Sequence, residues 1–220
     1  MLQNKELIMN ILILCFPGMT ALDAIGPYEV LSRIPGANVL FIGSEIGPVT
    51  TDTGMLQLLT TEDLKSCPQA DILLIPGGPG TDRLERCEET LNWIRTQAQK
   101  AEWVLSVCTG SLVLGAAGLL SGKKATSHWA LLERLKEFGA IPVSERFTRT
   151  EQIVTAAGVS AGIDMALMLV QWQFGVPLAS AIQLGIEYDP KPPLDVGHPS
   201  KAPKELISMV VEMFSQAEKC

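Results

Sequence analysis

The stretch Trp103-Val-Leu-Ser-Val-Cys-Thr-Gly-Ser-Leu-Val-Leu-Gly-Ala-Ala117 decides how this chain is read. Its first five residues are apolar or small and β-branched in the manner of a buried strand, and from Thr109 onward the pattern becomes that of a helix. Cys108 falls between the two. A side chain at a strand-to-helix turn faces the unpaired N–H groups and the positive end of the following helix, an arrangement that favours a thiolate and makes a nucleophile near neutral pH. Strand, nucleophile, small residues and helix is also the logic of the nucleophile elbow of hydrolases. A free cysteine can equally be a small buried hydrophobe, but an inert core thiol has no need of such a turn.

Short apolar runs alternate with helix-periodic segments along the rest of the chain, which predicts an α/β fold with a mostly parallel sheet covered on both faces. Strands are expected near Met9–Phe16, Asn38–Gly43, Asp71–Pro76, Trp103–Val107 and Gln152–Ala156. Helices fit Asp23–Arg33, Asp82–Ala101, Gly110–Leu120, Ala130–Phe138, Ser160–Phe174 and Leu178–Glu187. The threonine-rich stretch Gly47–Gly54 suits a small, peripheral edge hairpin. After Tyr188 the chain is too rich in proline for a regular element, and an amphipathic helix from about Lys204 to Lys219 closes it. Residues 1–220 are read as one domain.

With 220 residues and 47% hydrophobic side chains the chain can bury a large core. A formal charge of −7 and no cluster of Lys or Arg argue against a nucleic-acid partner. No apolar run is long enough to span a membrane, and Ile11–Phe16 is too short, with too little basic charge before it, to be a signal segment. The five cysteines, Cys15, Cys67, Cys87, Cys108 and Cys220, are widely spaced without a C-x-x-C pair. Neither a disulfide framework nor a zinc site is indicated, and a reduced, cytoplasmic protein is expected.

In open parallel sheets ligands bind beyond the carboxyl ends of the strands. Three turns there carry chemistry. The first holds Asp23, a potential general acid and base for a nearby thiol; Thr20-Ala-Leu-Asp23 is also a capping-box pattern, and both roles are open. The second, Ile75-Pro-Gly-Gly-Pro-Gly80, is either a plain strand exit or a backbone cradle whose N–H groups are exposed to developing negative charge. It lacks the lysine and hydroxyl of a phosphate loop. The third holds Cys108 and Thr109, whose hydroxyl caps the helix or meets a substrate or water. His128, beside Trp129, is more in keeping with a structural than a catalytic role, as is His198 in the proline-rich segment. Asp164 lies inside an apolar helix and must be partnered there.

Taken together, Leu22-Asp-Ala-Ile-Gly-Pro-Tyr-Glu-Val-Leu31, Leu74–Gly80, Ser106–Lys123, Ala125-Thr-Ser-His-Trp129, Thr155–Ala166 and Gln183–Pro193 closely resemble the ThiJ/PfpI family of the class I glutamine amidotransferase-like superfamily. The resemblance implies a flavodoxin-like three-layer sandwich, a homodimer, and neither metal nor organic cofactor. Protease, glyoxalase and deglycase branches place histidine after the cysteine and glutamate in the first turn; Thr109 and Asp23 stand there instead. That pattern resembles the branch that adds water to isocyanides through a cysteine thioimidate. By this likeness Cys108, Asp23 and Thr109 are catalytic, Gly77 and Gly78 border the oxyanion, with Gly78 and Thr109 donating N–H groups, and Val159 borders the sulfur. A non-catalytic sensor with an oxidisable Cys108 is the alternative. Hydrolysis of an amide or ester would require a histidine beside the sulfur.

Overall fold

The structure, a computed structural model, describes residues 8–217. In chain order its elements are β1 (Met9–Leu14), α1 (Ala21–Leu31), β2 (Ala37–Gly43), β3 (Gly47–Thr50), β4 (Gln57–Thr60), β5 (Glu62–Asp63) and β6 (Ile72–Ile75). There follow α2 (Thr81–Leu84), α3 (Glu88–Ala98), β7 (Trp103–Val107), α4 (Gly110–Ala116), β8 (Lys124–Ala125) and a 3₁₀ helix over Trp129–Phe138. The chain continues through β9 (Ile141–Pro142), β10 (Phe147–Thr150), β11 (Ile153–Ala156), α5 (Ala161–Phe174), α6 (Val176–Gly185) and α7 (Lys204–Ala217).

Seven strands form the central sheet in the order β10-β11-β7-β6-β1-β2-β5, parallel throughout except for the antiparallel β10–β11 pair. Ile11–Leu14, Ile72–Ile75, Trp103–Val107 and Ile153–Ala156 are buried at every position, so both faces of the sheet are covered. The covering helices fall into two groups: α1 packs with α5 and α5 with α6, while α4 packs with α2, α3 and the 3₁₀ helix. This is the α/β sandwich expected from the alternating pattern.

The chain winds from β1 to β2 on one side and then returns to lay β6, β7 and β11 on the other. The order therefore reverses at β1/β6, and a crevice opens where the connections after those strands diverge. Asp23 and Gly77 follow the two strands that border this switch point, and Cys108 follows β7, the neighbour of β6.

Several boundaries differ from the sequence reading. The segment Asp82–Ala101 is two helices, because Cys87 is extended and ends the first turn. Helix α4 stops at Ala116, short of Leu120, and Gly118 turns the chain at φ +79. Ala130–Phe138 is helical but wound as 3₁₀. The hairpin predicted within Gly47–Gly54 is larger, β3 pairing with Gln57–Thr60. Strand β10 has no counterpart in the reading, since its turn places Glu151 at φ 56 without the glycine or asparagine that signals such a reversal. Residues 218 and 219 of the predicted terminal helix lie outside the described residues.

Candidate active site

Cys108 follows β7 and is held at φ 57, a conformation uncommon outside glycine and costly for a side chain. Its backbone is tied on both sides. The Cys108 N–H donates to the carbonyls of Ala156 and Ala157, and its carbonyl accepts from the Ser111 and Ser127 hydroxyls, both at 3.1 Å. No side chain could replace hydrogen at Gly110, because a Cβ there would sit 2.1 Å from the Ile75 carbonyl oxygen. The strand exit and the first turn of α4 are thus pressed together, and the sulfur is projected over the carboxyl edge of the sheet.

Asp23 lies on the first turn of α1, fully buried. Gly77 donates its N–H to Oδ2 at 2.9 Å, while Oδ1 has no partner at ordinary hydrogen-bond geometry. Burial pushes this carboxyl up to about 7; the Gly77 N–H and the neighbouring Cys108 thiol pull it back, and the charge of Asp52 adds to the rise. The capping-box role is not adopted. Thr20 makes no side-chain cap, and its hydroxyl instead donates to Asp52 Oδ2 at 2.7 Å.

Cys108 is 3% exposed, and burial together with the Asp23 charge raises its thiol well above the ordinary value. The N–H groups of Thr109 and Val159 and the Thr109 hydroxyl act in the opposite direction. The expectation of a freely ionised thiolate is therefore corrected: in the resting site the helix end is outweighed by desolvation. Two groups that each resist ionisation stand together, and they lose their protons as a coupled pair in which the carboxyl ionises more readily than the thiol.

The glycine turn after β6 joins the acid to the nucleophile. Gly77 passes between them so tightly that a Cβ would lie 2.5 Å from Thr109 N and 2.9 Å from Asp23 Oδ2. Gly78, at φ +129, donates its N–H to the Thr109 hydroxyl at 2.8 Å. Neither N–H is free to meet an oxyanion in this state: Gly77 holds the acid and Gly78 holds Thr109, which revises their expected role. Thr109 occupies the cap position of α4 but does not cap it; its hydroxyl belongs to the site.

Cys108 and Thr109 open onto a cavity of about 230 Å³. Thr20, Asp52 and Gly78 line its polar end, and Pro79, Leu131, Val159, Met213 and Phe214 its apolar walls. Asp52, Met213 and Phe214 were not singled out from sequence. Asp52 lies in the hairpin taken as peripheral, yet its N–H donates to the Met19 carbonyl and clamps the turn before Asp23. Met213 and Phe214 come from α7, whose amphipathic pattern marks a packed face without saying what it faces.

His128 does not line this cavity. Its Nδ1 accepts from Ala130 N–H, its ring stacks on Phe214 at 4.3 Å, and burial lowers its pKa to about 4. The imidazole is neutral and committed to structure. His198 bonds within its own loop, to Ser200. Asp164 pairs with Arg146 at 2.6 Å and accepts from the Tyr188 hydroxyl at 2.8 Å, bracing α5. Among the described residues, no three His, Cys, Asp or Glu side chains converge as metal ligands would, and no helix is long and apolar enough to cross a membrane.

A parallel switch-point sheet with a cysteine at a strained elbow and a carboxyl beside it defines a class of nucleophile-elbow α/β proteins. Residues 9–172 match the DJ-1/PfpI family, and the chain belongs to it. An isonitrile hydratase from Pseudomonas putida is 48% identical over 194 residues, covering 88% of this chain and 85% of that one. A ThiJ/PfpI family protein from Pseudomonas syringae superposes with a TM-score of 0.91 at 38% identity, over 98% of this chain and 91% of that one. DJ-1beta of Drosophila melanogaster shares the fold alone, with a TM-score of 0.74 at 20% identity over 83% of this chain and 99% of its own.

Proposed function

We propose that this chain is an isonitrile hydratase, a lyase that converts R–N≡C and water to an N-substituted formamide. The observation that carries the reading is Cys108, which lines a largely apolar cavity, with the buried Asp23 carboxyl beside its sulfur, in a chain 48% identical to a protein of that activity. An isocyanide carbon is unusual in accepting both a nucleophile and a proton. A sulfur and a carboxyl that hold protons between them supply both at one point.

Cys108 Sγ bonds to the isocyanide carbon while Asp23 delivers a proton to the same carbon, giving the thioimidate R–N=CH–S. That proton is the one the thiol has given to the Asp23 carboxylate, so a single proton serves the pair and Asp23 is left ionised. Water then adds to that carbon with its proton passing to nitrogen, oriented by the Thr109 hydroxyl that Gly78 holds in place. The C–S bond breaks, sulfur regains a proton, and R–NH–CHO leaves. The developing charge is met by the Thr109 and Val159 N–H groups at the sulfur.

The same reading takes residues 1–220 as one domain, acting in the cytoplasm as a homodimer without cofactor. Burial of Cys108 argues against a redox sensor, which needs an accessible, easily ionised thiol. The commitment of His128 to Ala130 and Phe214 argues against a Cys–His hydrolase.

The test is formamide formation from alkyl and aryl isocyanides by the reduced protein, compared with Cys108→Ser and Asp23→Asn. Turnover by wild type, with each variant reduced by roughly a hundredfold or more, is the expected result. No formamide from any isocyanide would sink the proposal.

A further inference from the structure

The cavity has two ends of different origin. Its reacting end is built from turns after β1, β6 and β7, where the backbone is so close-set that no Cβ fits at Gly77, Gly78 or Gly110. Its far wall is Met213 and Phe214 from α7. That helix is reached only after the largely exposed, proline-rich segment 189–203. It also lies beyond residue 172, where the match to the family ends. The reacting groups and this part of the wall thus come from separate parts of the chain.

We infer that Met213 and Phe214 of α7 set which isocyanides enter, by walling the cavity to the size of a single compact, uncharged apolar R group. This rests on the hydratase reading and says what that site selects. A dry apolar cavity of about 150 Å³ binds benzene, and one of about 230 Å³ leaves room for one six-membered ring together with the isocyano group. A fused bicyclic R group would press on the Met213 and Phe214 side chains. Anionic R groups are disfavoured because Asp52 stands at the lining and the chain carries a net −7, whereas the nearby Asp82 is paired with Arg134. Phe214 is fixed from behind by its stack on His128 at 4.3 Å, whereas Met213 is 62% exposed and makes a wall that trims without disturbing the core.

The experiment measures KM and kcat for tert-butyl, benzyl and 2-naphthyl isocyanide with wild type, Phe214→Ala and Met213→Ala. A binding wall predicts a crossover. Removing it should lower KM for the 2-naphthyl compound by roughly tenfold and raise KM for the tert-butyl compound severalfold, the range that methylene-sized changes in an apolar pocket give. Met213→Ala leaves the Phe214–His128 stack in place and reads the effect if loss of that stack unsettles Phe214→Ala. KM values that stay put, or that move in the same direction for large and small substrates, overturn the inference and leave the hydratase reading standing. Absence of formamide from all three compounds overturns both.

Discussion

Asp23 holds its proton up to about pH 7 because a carboxylate sealed from solvent loses more hydration than one N–H bond from Gly77 and the adjoining thiol give back. Two consequences follow for measurement. The reactive tautomer, thiolate beside carboxylic acid, contains one proton for the two groups. Loss of the first proton, from the carboxyl, brings the pair to that one-proton level, from which the thiol proton can pass to Asp23, so kcat/KM should rise as pH passes through about 7 and then level; a flat profile across that range is the contrary result. The second concerns stability. The folded pKa lies above the ordinary 3.8, so the stabilisation is fully present below that value and lost as pH rises through about 7. The whole difference is on the order of 4 kcal/mol at about 1.4 kcal/mol per tenfold. Asp23→Asn should therefore be inactive yet more heat-stable than wild type above pH 7, a comparison that melting curves across pH will make.

At the level of elements, the site depends on three turns that touch backbone to backbone. Gly110→Ala would bring a methyl within 2.1 Å of the Ile75 carbonyl oxygen, and Gly77→Ala within 2.5 Å of Thr109 N. Each is expected to cost at least about 3 kcal/mol, seen as a melting point lower by roughly 6–12 °C. Gly185, near the end of α6 with nothing within 4 Å of the equivalent position, provides the contrast. There alanine should be neutral or stabilising by up to about 1 kcal/mol, and equal losses at all three glycines would contradict the packing argument. The inner strands were readable from sequence because full burial on both faces leaves a continuous apolar run, as in Ile72–Ile75. Strand β10 was not: Phe147-Thr-Arg-Thr150 alternates only weakly, and its turn at Glu151 carries no glycine. The split between α2 and α3 also left no mark, since nothing around Cys87 breaks helical periodicity.

Over the whole molecule, α7 is held against the body partly through one aromatic stack, Phe214 on His128. Burial depresses the imidazole to about 4 from an ordinary 6.5, so its contribution is intact above 6.5 and lost as pH falls through about 4. That span corresponds to roughly 3 kcal/mol. Wild type should accordingly lose stability between those values, and His128→Asn, which retains an acceptor for Ala130 N–H but does not titrate there, should show a shallower acid slope in melting temperature. Asp23 and His128 bear on opposite limbs of the stability curve, one losing on the alkaline side and the other on the acid side.

What composition and pattern determined on their own was the alternation of strands and helices and the placing of Asp23, the paired glycines and Cys108 in turns at the carboxyl edge. These are local properties, set by hydrophobic period and turn chemistry within a few residues. Only the tertiary structure decided how the groups act on one another. It gave the Gly77 and Gly78 N–H groups to Asp23 and Thr109, and it suppressed ionisation of the thiol by burial. It also drew in Asp52 from 32 residues beyond Thr20 and completed the cavity wall with Met213 and Phe214, more than a hundred residues after Cys108. Desolvation and contact between distant segments depend on what surrounds a residue in space, and no local pattern encodes that.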